Sequence, residues 1–415
     1  MNSSPTPSSP TRSRRSERRP ATLLAALGLL SGLTAQAHEE AQAIPEQAGL
    51  RLGAALALSN VKASQALPSQ RLQGYLVHGD AGIDRRASTL EHAVVEAGWR
   101  IDSQWSAYAA AGQHDRDPAH TEAAWLRYEF DAPEDQTRTV QLGRMRPQMG
   151  PVMTQAGHMD RFALMPLARR VALDGDWIDD GVQFSARQAW DEWTGDADLG
   201  LWRGRTFPGT ANSSPAPSLH LGIERGDWRG DLFASFLQAE GRGALAQSTT
   251  GGHTHNAPDC STLKAGVLCF GGSSQVAGAS LQWQSHDWPV TLQGSYWLRQ
   301  DDGTLRSVNG QAEHSATYGG GWLQALWQPR ADWELGMRTE RISADLSLKG
   351  AGATLLAQEA GLSGSAPLRR DTVLLSWQPH RSVTVSAEAG QETQGGQRVN
   401  FTVLRAVFRG KTSPL

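Results

Sequence analysis

Hydrophobic side chains recur at every second position in many segments of about ten residues, and polar turn residues separate these segments. The alternation is clear over Leu50–Leu58, Leu126–Phe130, Val290–Leu298, Trp333–Met337 and Val383–Ala389. A period of two indicates a β-strand with one apolar and one polar face. Segments of about ten residues are long enough to cross a membrane as tilted strands. The pattern therefore predicts an all-β protein with one face of its sheet toward lipid.

Short polar turns join many of these segments in pairs, at Gly226-Asp227, Ser285–Asp287, Pro329–Asp332 and Pro379–Arg381. Longer connections are expected between the pairs. This alternation is typical of up-and-down barrels of the outer membrane, whose tight turns face the periplasm. Because such barrels have even strand numbers, the candidate strands predict a transmembrane antiparallel up-and-down β-barrel of about 16 strands over residues 50–408. Residues 409–415 would form a C-terminal tail.

The tryptophans provide a second indication of a membrane barrel. Amphipathic rings at strand ends are typical of the aromatic girdles that lie at headgroup level, and ordinary core tryptophan is the alternative. We expect the girdle to contain Trp99, Trp125, Trp177, Trp228, Trp288, Trp333 and Trp377.

Composition excludes several other classes. Hydrophobic residues make up 39% of the 415-residue chain. No run after the first forty residues approaches the roughly 20 apolar residues that a membrane-spanning helix needs. The 15 Trp and 9 Phe are too many for a disordered chain.

The N-terminus has the features of a secretory signal peptide. Five arginines lie between Arg12 and Arg19, an uncharged apolar stretch runs over 21–37, and Ala35-Gln36-Ala37 fits a cleavage site. A membrane anchor is the alternative, but the apolar core is short for a span. We expect a signal peptide over 1–37, a short segment over 38–49 and export to the bacterial outer membrane.

Charge argues against nucleic acid as a partner. Residues 1–37 contain five Arg and one Glu, so their removal changes the formal net charge from −3 to −7. A nucleic-acid-binding protein would need a basic stripe or a basic domain. We recognise no cofactor-binding motif.

The two cysteines, Cys260 and Cys269, lie in a segment rich in Gly, Ser, Thr and His over 241–274. In an exported protein a local disulfide is favoured over a metal or catalytic pair. His253 and His255 are weak candidates for a metal site, because two histidines without another fixed ligand are a weak signal, and a solvated loop is the favoured interpretation.

Polar residues alternate with the apolar ones and are expected to line the lumen, among them Gln141, Gln282, Gln293 and Arg338. Side chains cannot fill a barrel of about sixteen strands, so passage of hydrophilic solutes is the expected function. A barrel-rim hydrolase using His158, Asp160, His220 or His286 is an alternative, but no nucleophile-elbow or zinc-protease signature is present. A non-conducting adhesin or structural barrel is a third interpretation.

One stretch departs from the strand rhythm. It contains Gly143–Pro151, Gly157–Phe162, Ala168–Arg170 and Asp176–Gln183, and Gly200–Pro208 follows downstream. These residues resemble the phosphate-selective porin O/P-like family of outer-membrane porins. In that family a strand ending in Gly-Arg leads through a Pro/Gly turn into a loop with aromatic residues and arginines. The resemblance is best over about residues 137–210 and elsewhere rests on strand rhythm.

The resemblance implies a trimeric barrel of sixteen strands that passes small anions, with a loop folded inward to narrow the pore. Guanidinium groups suit oxyanions and raise the local anion concentration in a narrow throat. The candidate anion-binding residues are Arg144, Arg146, Arg161, Arg169 and Arg170. The alternative role for these arginines is ion pairing with Asp160, Asp174, Asp176, Asp179 and Asp180. No catalytic residue is assigned.

Overall fold

The computed structural model of the chain describes residues 44–77, 87–114, 118–155, 159–205, 214–246 and 258–414. Within them, sixteen strands form a closed antiparallel barrel in chain order, and β1 pairs with β16 to close it. The strands are β1 (Gly49–Ala63), β2 (Ala87–Arg100), β3 (Trp105–Gln113), β4 (His120–Glu129), β5 (Gln136–Met145), β6 (Asp179–Trp190), β7 (Trp193–Trp202), β8 (Ala216–Arg225), β9 (Trp228–Leu245), β10 (Val267–Gln284), β11 (Val290–Ser307), β12 (Gly310–Arg330), β13 (Trp333–Lys349), β14 (Leu368–His380), β15 (Val383–Gln394) and β16 (Gln397–Lys411).

The predicted all-β antiparallel barrel of sixteen strands is confirmed. Its bounds differ slightly from the expected 50–408, because β1 begins at Gly49 and β16 continues to Lys411. The expected tail from residue 409 is therefore wrong in its first three positions, which pair with β1 as Ala55↔Arg409, Ala54↔Gly410 and Gly53↔Lys411. The predicted signal peptide lies outside the described residues.

The described parts of the connections contain three short helices: α1 (Pro68–Arg71), α2 (Leu167–Leu173) and α3 (Ala353–Ala360). Among the described residues, no helix is both long and apolar enough to cross a membrane.

The barrel has a short-turn end and a long-loop end, which we define by the connections that lie there. At the short-turn end, pairs such as β6–β7 and β8–β9 are joined by two residues. The long-loop end has the connections over 64–86, 146–178, 246–266 and 350–367. The expectation that every connection there is long is wrong for β11–β12 and β15–β16. The second of these turns at Gly395 (φ 56°) and Gly396 (φ 83°), whose positive φ angles suit a two-residue hairpin.

Strand polarity reverses partway along the barrel. On β11, Leu292, Tyr296 and Leu298 are exposed outward. Beyond Leu298 the outward positions are Gln300, Asp302, Thr304 and Arg306, while Leu305 is buried inside. The segment from Val290 to Leu298 has a height of roughly 20 Å at ordinary strand rise and tilt, close to the ~25 Å apolar band of such barrels. The burial patterns of β12 and β13 show the same reversal, so on these three strands the outward apolar side chains lie in the half nearer the short turns.

Ten tryptophans cluster at the short-turn end: Trp99, Trp105, Trp190, Trp193, Trp228, Trp283, Trp288, Trp327, Trp333 and Trp377. Pairs of these rings are in contact across strands, as in the stacked Trp333 and Trp377. The girdle prediction is wrong for Trp125 and Trp177, which are 4% and 0% exposed. Trp125 points inward from the middle of β4, and Trp177 packs inside the barrel against Trp202 and Phe233.

The interior of the long-loop half contains an apolar core. Side chains from the connections, such as Tyr75, Leu173 and Leu362, pack there against inward residues of the strands, such as Trp297 and Tyr318. Burial raises the pKa of the Tyr75 hydroxyl above its usual range, so this group stays neutral. The connections therefore fold into the barrel and do not simply extend from its rim.

Candidate functional site

The connection between β5 and β6, residues 146–178, extends to the opposite wall of the barrel. β13 and β14 lie eight strands around the ring of sixteen from β5 and β6, so they face them across the lumen. Four arginines on β13, β14 and β16 donate hydrogen bonds to carbonyl oxygens of this loop. These bonds join Arg338 to Leu164 (2.6 Å), Arg370 to Met165 (3.0 Å), Arg405 to Arg161 (2.7 Å) and Arg409 to Met159 (2.6 Å).

Glutamates of the same wall accept hydrogen bonds from the loop's amides. Ala163 N donates to Glu388 Oε1 and Leu167 N to Glu340 Oε2, each at 2.7 Å. Buried irregular backbone needs partners for its polar groups. In this loop, arginines bind the carbonyls and glutamates bind the amides. The arginines and glutamates of β13–β16 thus hold the loop against this wall through hydrogen bonds to its backbone.

The end of the loop that follows α2 is fastened to β9 and β11. Asp174 forms ion pairs with Arg299 and Arg242, and Arg299 Nη1 also donates to the carbonyl of Val171 at 3.0 Å. Asp174 adopts a left-handed conformation (φ 53°) that ends the helix. Charged contacts therefore hold both ends of the loop segment that crosses the interior.

Arg144 lies on the outward face of β5. Inward positions on this strand are marked by Gln141 and Met145, and Arg144 shares the other face with the exposed Leu142. Its guanidinium lies 3.7 Å from Asp180 on the outward face of β6. This placement differs from the predicted pore position, because strand alternation directs the side chain away from the lumen.

Arg146 and Arg169 converge on one carboxylate. Asp176 Oδ2 accepts from Arg146 at 2.6 Å, and Asp176 Oδ1 accepts from Arg169 at 2.7 Å. Arg170, which is also buried, donates to the carbonyl of Ser69 in α1 at 2.7 Å. These contacts correspond to the structural role considered for the arginines, in which they support the loop.

Arg161 is the most accessible of the candidates inside the barrel. Its side chain is 23% exposed and donates to Glu334 Oε2 of β13 at 2.9 Å. Glu334 shares the inward face of β13 with Arg338, nearer the short turns. Of the five predicted arginines, this one combines a lumen position with solvent contact.

The inward wall of β4–β9 carries polar residues and both signs of charge on the side of Trp125, Trp202 and Phe233 that is nearer the short turns. Arg127 donates to Gln141, and Gln183 lies beside Asp198. His220 lies between two carboxylates, 2.7 Å from Asp198 and 3.1 Å from Asp231. The inward alternation of polar residues predicted this kind of wall, but the ion pairs across strands depend on register.

One of the two cysteines, Cys260, lies in the loop between β9 and β10, and the other, Cys269, lies near the start of β10. They form a disulfide that ties this loop to the strand. Lys264 donates to Asp259 in the same loop, which holds the pKa of the Asp259 carboxyl below its usual range. His253 and His255, the weak metal candidates, and His158 lie outside the described residues.

No family model and no curated protein matches the chain. Solved structures do match it. The loop L8 deletion mutant of OmpT, an outer membrane protein of Vibrio cholerae, aligns with a TM-score of 0.57 and 10% identity, covering 88% of this chain and 100% of that one. In-vitro folded OmpT in its trimer form gives 0.55 and 9%, with coverage of 88% and 100%. Salmonella typhi OmpF in complex with daunomycin gives 0.51 and 8%, with coverage of 90% and 100%.

At identities of 10% or less, these structural alignments establish the fold alone. The chain shares the closed barrel fold of these outer-membrane proteins, with sixteen antiparallel strands among its described residues.

Proposed function

We propose that the chain is an outer-membrane porin through which small hydrophilic solutes diffuse passively. The observation that carries the proposal is the loop over 146–178, which is fastened to the opposite wall of a sixteen-stranded barrel. A barrel of this size encloses a lumen that wall side chains do not fill. An inward loop facing the polar wall of β4–β9 would narrow this lumen to a constriction.

Anions are the proposed solutes, as the resemblance to phosphate-selective porin O/P-like proteins over about 137–210 implies. Arg161 is the arginine best placed to meet them, because its side chain is accessible inside the barrel. A cation in a narrow passage raises the local concentration of anions. Arg146, Arg169 and Arg170 would act indirectly, by holding the loop in place.

The proposed setting is a homotrimer in outer-membrane lipid. The same fold occurs in a trimer form of OmpT, and the outward apolar half of the strands suits contact with lipid. Residues 1–37 would direct export and then be removed.

A non-enzymatic role is part of the proposal. A serine hydrolase needs a histidine with one nitrogen toward a carboxylate and the other toward a serine hydroxyl. In His220 both ring nitrogens contact carboxylates, those of Asp198 and Asp231. His286 is exposed in a short turn and contacts Asp227. Neither arrangement supports nucleophilic catalysis.

Planar-bilayer recordings test the proposal. We expect stepwise conductance and, in a potassium chloride gradient, a reversal potential of the sign for anion preference. Phosphate added afterwards should reduce the chloride current. Absence of conductance would contradict the porin role and favour an adhesin or structural barrel. Conductance with cation preference would keep the porin and overturn the anion assignment.

Arg161→Ala tests whether Arg161 contributes to the anion preference. It removes one positive charge and leaves the carboxylate of Glu334 without this partner, so the reversal potential should shift toward cation preference. Arg330→Ala is the matched control, because Arg330 also pairs with a carboxylate, Asp332 at 3.1 Å, but is exposed at the short-turn end. Equal shifts in both variants would show that Arg161 has no special place in the path.

A further inference from the structure

Three histidines and one glutamate meet inside the barrel near its long-loop end. They come from adjacent strands: His92 from β2, His114 from the position after β3, and His120 and Glu122 from β4. His114 Nε2 and His120 Nε2 lie 3.6 and 3.7 Å from Glu122 Oε1. His92 Nε2 forms a hydrogen bond with the same oxygen. The ligand atoms of His92, His114 and Glu122 all lie within 4.8 Å of one another, and His120 lies beside Glu122.

Second contacts orient two of the imidazoles. His114 Nδ1 lies 2.8 Å from the carbonyl oxygen of Glu91, and His120 Nδ1 lies 3.4 Å from that of Pro118. A carbonyl oxygen only accepts, so in each ring Nδ1 carries the hydrogen. In the neutral imidazole Nε2 then presents its lone pair toward Glu122. A ring nitrogen that donates to a backbone carbonyl is the usual support of a metal-binding histidine.

The backbone is irregular at this cluster and nowhere else on β2 or β4. Ala57 pairs with His92 but Leu58 with Leu90, so Glu91 is the additional residue of a β-bulge. Ala110 pairs with Ala123 but Ala111 with Thr121, so Glu122 is the additional residue of a second bulge. Bulges redirect side chains and are enriched at functional sites. The second one directs a carboxylate into the interior.

Gly112 on β3 makes room for the cluster. A Cβ at this position would lie 2.1 Å from Glu122 Oε1 and 2.7 Å from His92 Nε2. Any side chain there would displace the carboxylate from the imidazoles. The cluster therefore depends on two bulges and one glycine in addition to its four side chains.

We propose that His92, His114 and Glu122 bind one divalent transition-metal ion of the zinc class, with His120 at the open side of the site. Imidazole nitrogens and a carboxylate oxygen at about 2.1 Å from a tetrahedral ion lie about 3.4 Å from one another. The observed 3.6 Å between His114 Nε2 and Glu122 Oε1 is close to this spacing, and the ligand atoms of His92, His114 and Glu122 all lie within 4.8 Å of one another. The rings of His92 and His114 are stacked, with centroids 4.3 Å apart and an interplanar angle of 7°, so an ion would need His92 to leave its hydrogen bond and turn relative to His114. Nitrogen-rich sites favour zinc, copper and nickel over calcium and magnesium.

The ion would have a path of entry. The side chains of His92, His114 and Glu122 are at most 6% exposed, whereas that of His120 is 26% exposed at the start of β4. The path therefore leads from the long-loop end past His120. Once bound, the ion would join β2, β3 and β4 in the long-loop half of the barrel.

Asp196, His220 and Asp231 form a second group of residues that could bind a metal ion. This group differs from the cluster at Glu122 because an arginine lies beside it. Arg229 Nη2 lies 3.0 Å from Asp196 Oδ2 and 2.7 Å from Asp231 Oδ1, so a guanidinium already supplies the positive charge that an ion would bring. We assign no metal to that group.

Binding is tested on a tag-free chain in detergent, independently of conductance. Calorimetric titration with Zn²⁺ is expected to show one ion per chain, and Co²⁺ is expected to give the intense visible absorption of a tetrahedral site. The double variant H253A/H255A removes the histidines of the β9–β10 loop and is expected to behave as wild type. Failure of either the wild type or H253A/H255A to bind one ion would overturn the proposal.

Variants within the cluster test the ligands. Glu122→Gln and His114→Ala should weaken Zn²⁺ binding by at least the roughly 10- to 100-fold that loss of a supporting contact alone causes. His286→Ala, at the opposite end of the barrel, should leave it unchanged. Heat-modifiable migration in gels checks that each variant forms the barrel. Unchanged affinity in a folded Glu122→Gln or His114→Ala variant would overturn the assignment. If neither variant folds, the Co²⁺ spectrum of H253A/H255A still shows whether the chain binds the ion without His253 and His255.

Discussion

The guanidinium of Arg338 on β13 donates a 2.6 Å hydrogen bond to the carbonyl oxygen of Leu164 in the loop between β5 and β6. The same guanidinium lies 4.4 Å above the ring of Phe162 in that loop. Since β5–β6 and β13–β14 face each other across the barrel, these contacts connect opposite walls. The loop is therefore a cross-brace as well as a candidate constriction.

Arg370→Ala should weaken this brace. Arg370 contacts Glu392 at 2.8 Å, Glu340 at 3.3 Å and the carbonyl of Met165 at 3.0 Å, and it is buried. Removing one partner of a buried ion pair costs about 3–5 kcal/mol. The free energy of unfolding, measured by urea titration in detergent, should fall by an amount of this order.

Arg369→Ala is the matched control for that change. Arg369 is the preceding residue on β14, faces outward and pairs with Asp371 while exposed. Loss of an exposed pair costs about 1 kcal/mol or less. Similar losses in the two variants would contradict the bracing role of Arg370.

Arg144→Ala should leave the reversal potential in a salt gradient unchanged. The side chain faces away from the lumen and pairs with Asp180 outside the barrel. Bilayer recordings beside Arg161→Ala provide the comparison. A shift toward cation preference as large as that of Arg161→Ala would show that our placement of Arg144 does not describe the conducting form.

Gly150→Ala should destabilise the loop where it passes β9. Gly150 has φ 84°, and an added Cβ would lie 2.3 Å from the carboxylate carbon of Asp231. Asp231 would have to move away from His220 and Arg229, with which it is paired. We expect a lower thermal unfolding temperature in detergent.

Gly226→Ala separates backbone strain from the steric clash. Gly226 also has a positive φ, 54°, but nothing lies within 4 Å of an added Cβ. The loss of unfolding free energy caused by Gly226→Ala should be limited to the roughly 1–2 kcal/mol that a left-handed conformation costs. If Gly150→Ala unfolds at the same temperature as Gly226→Ala, the contact with Asp231 contributes nothing.

Replacement of both cysteines by serine should loosen the loop between β9 and β10 without changing conductance. The disulfide joins Cys260 to Cys269 outside the loop over 146–178, and a closed loop of this size is stabilised by about 2–4 kcal/mol. We expect faster proteolytic cleavage between residues 258 and 268, measured by mass spectrometry. Ser261→Ala in the same loop is the control. Cleavage at the wild-type rate would show that other contacts hold the loop.

The barrel itself could be predicted from the sequence because period-two alternation is a local signal. Leu292, Tyr296 and Leu298 alternate with Gln293 and Ser295 whatever their partners are. The alternation fails as a guide beyond Leu298, where the same strand exchanges its polar and apolar faces. The girdle prediction includes Trp125 and Trp177 because position in the sequence does not show which way a ring faces.

The candidate site could be predicted only in part. Gly143–Pro151 and the arginines after it indicated a special loop, and the loop does enter the barrel. Its partners, such as Glu340 and Arg405, lie more than 170 residues away, so only the closed ring brings them together. The cluster at Glu122 could not be found from spacing, because two bulges decide which side chains point inward.

The reversal of polarity along β11–β13 means that one set of strands is stabilised by two different forces. Lipid chains are as apolar as leucine, so the outward residues near the short turns gain little from contact with one another. Beyond the lipid, Leu305, Ile342 and Tyr318 are withdrawn from water, and the hydrophobic effect operates as in a soluble protein. Denaturants act on that second force, so urea should loosen the long-loop half while the lipid-facing half remains closed.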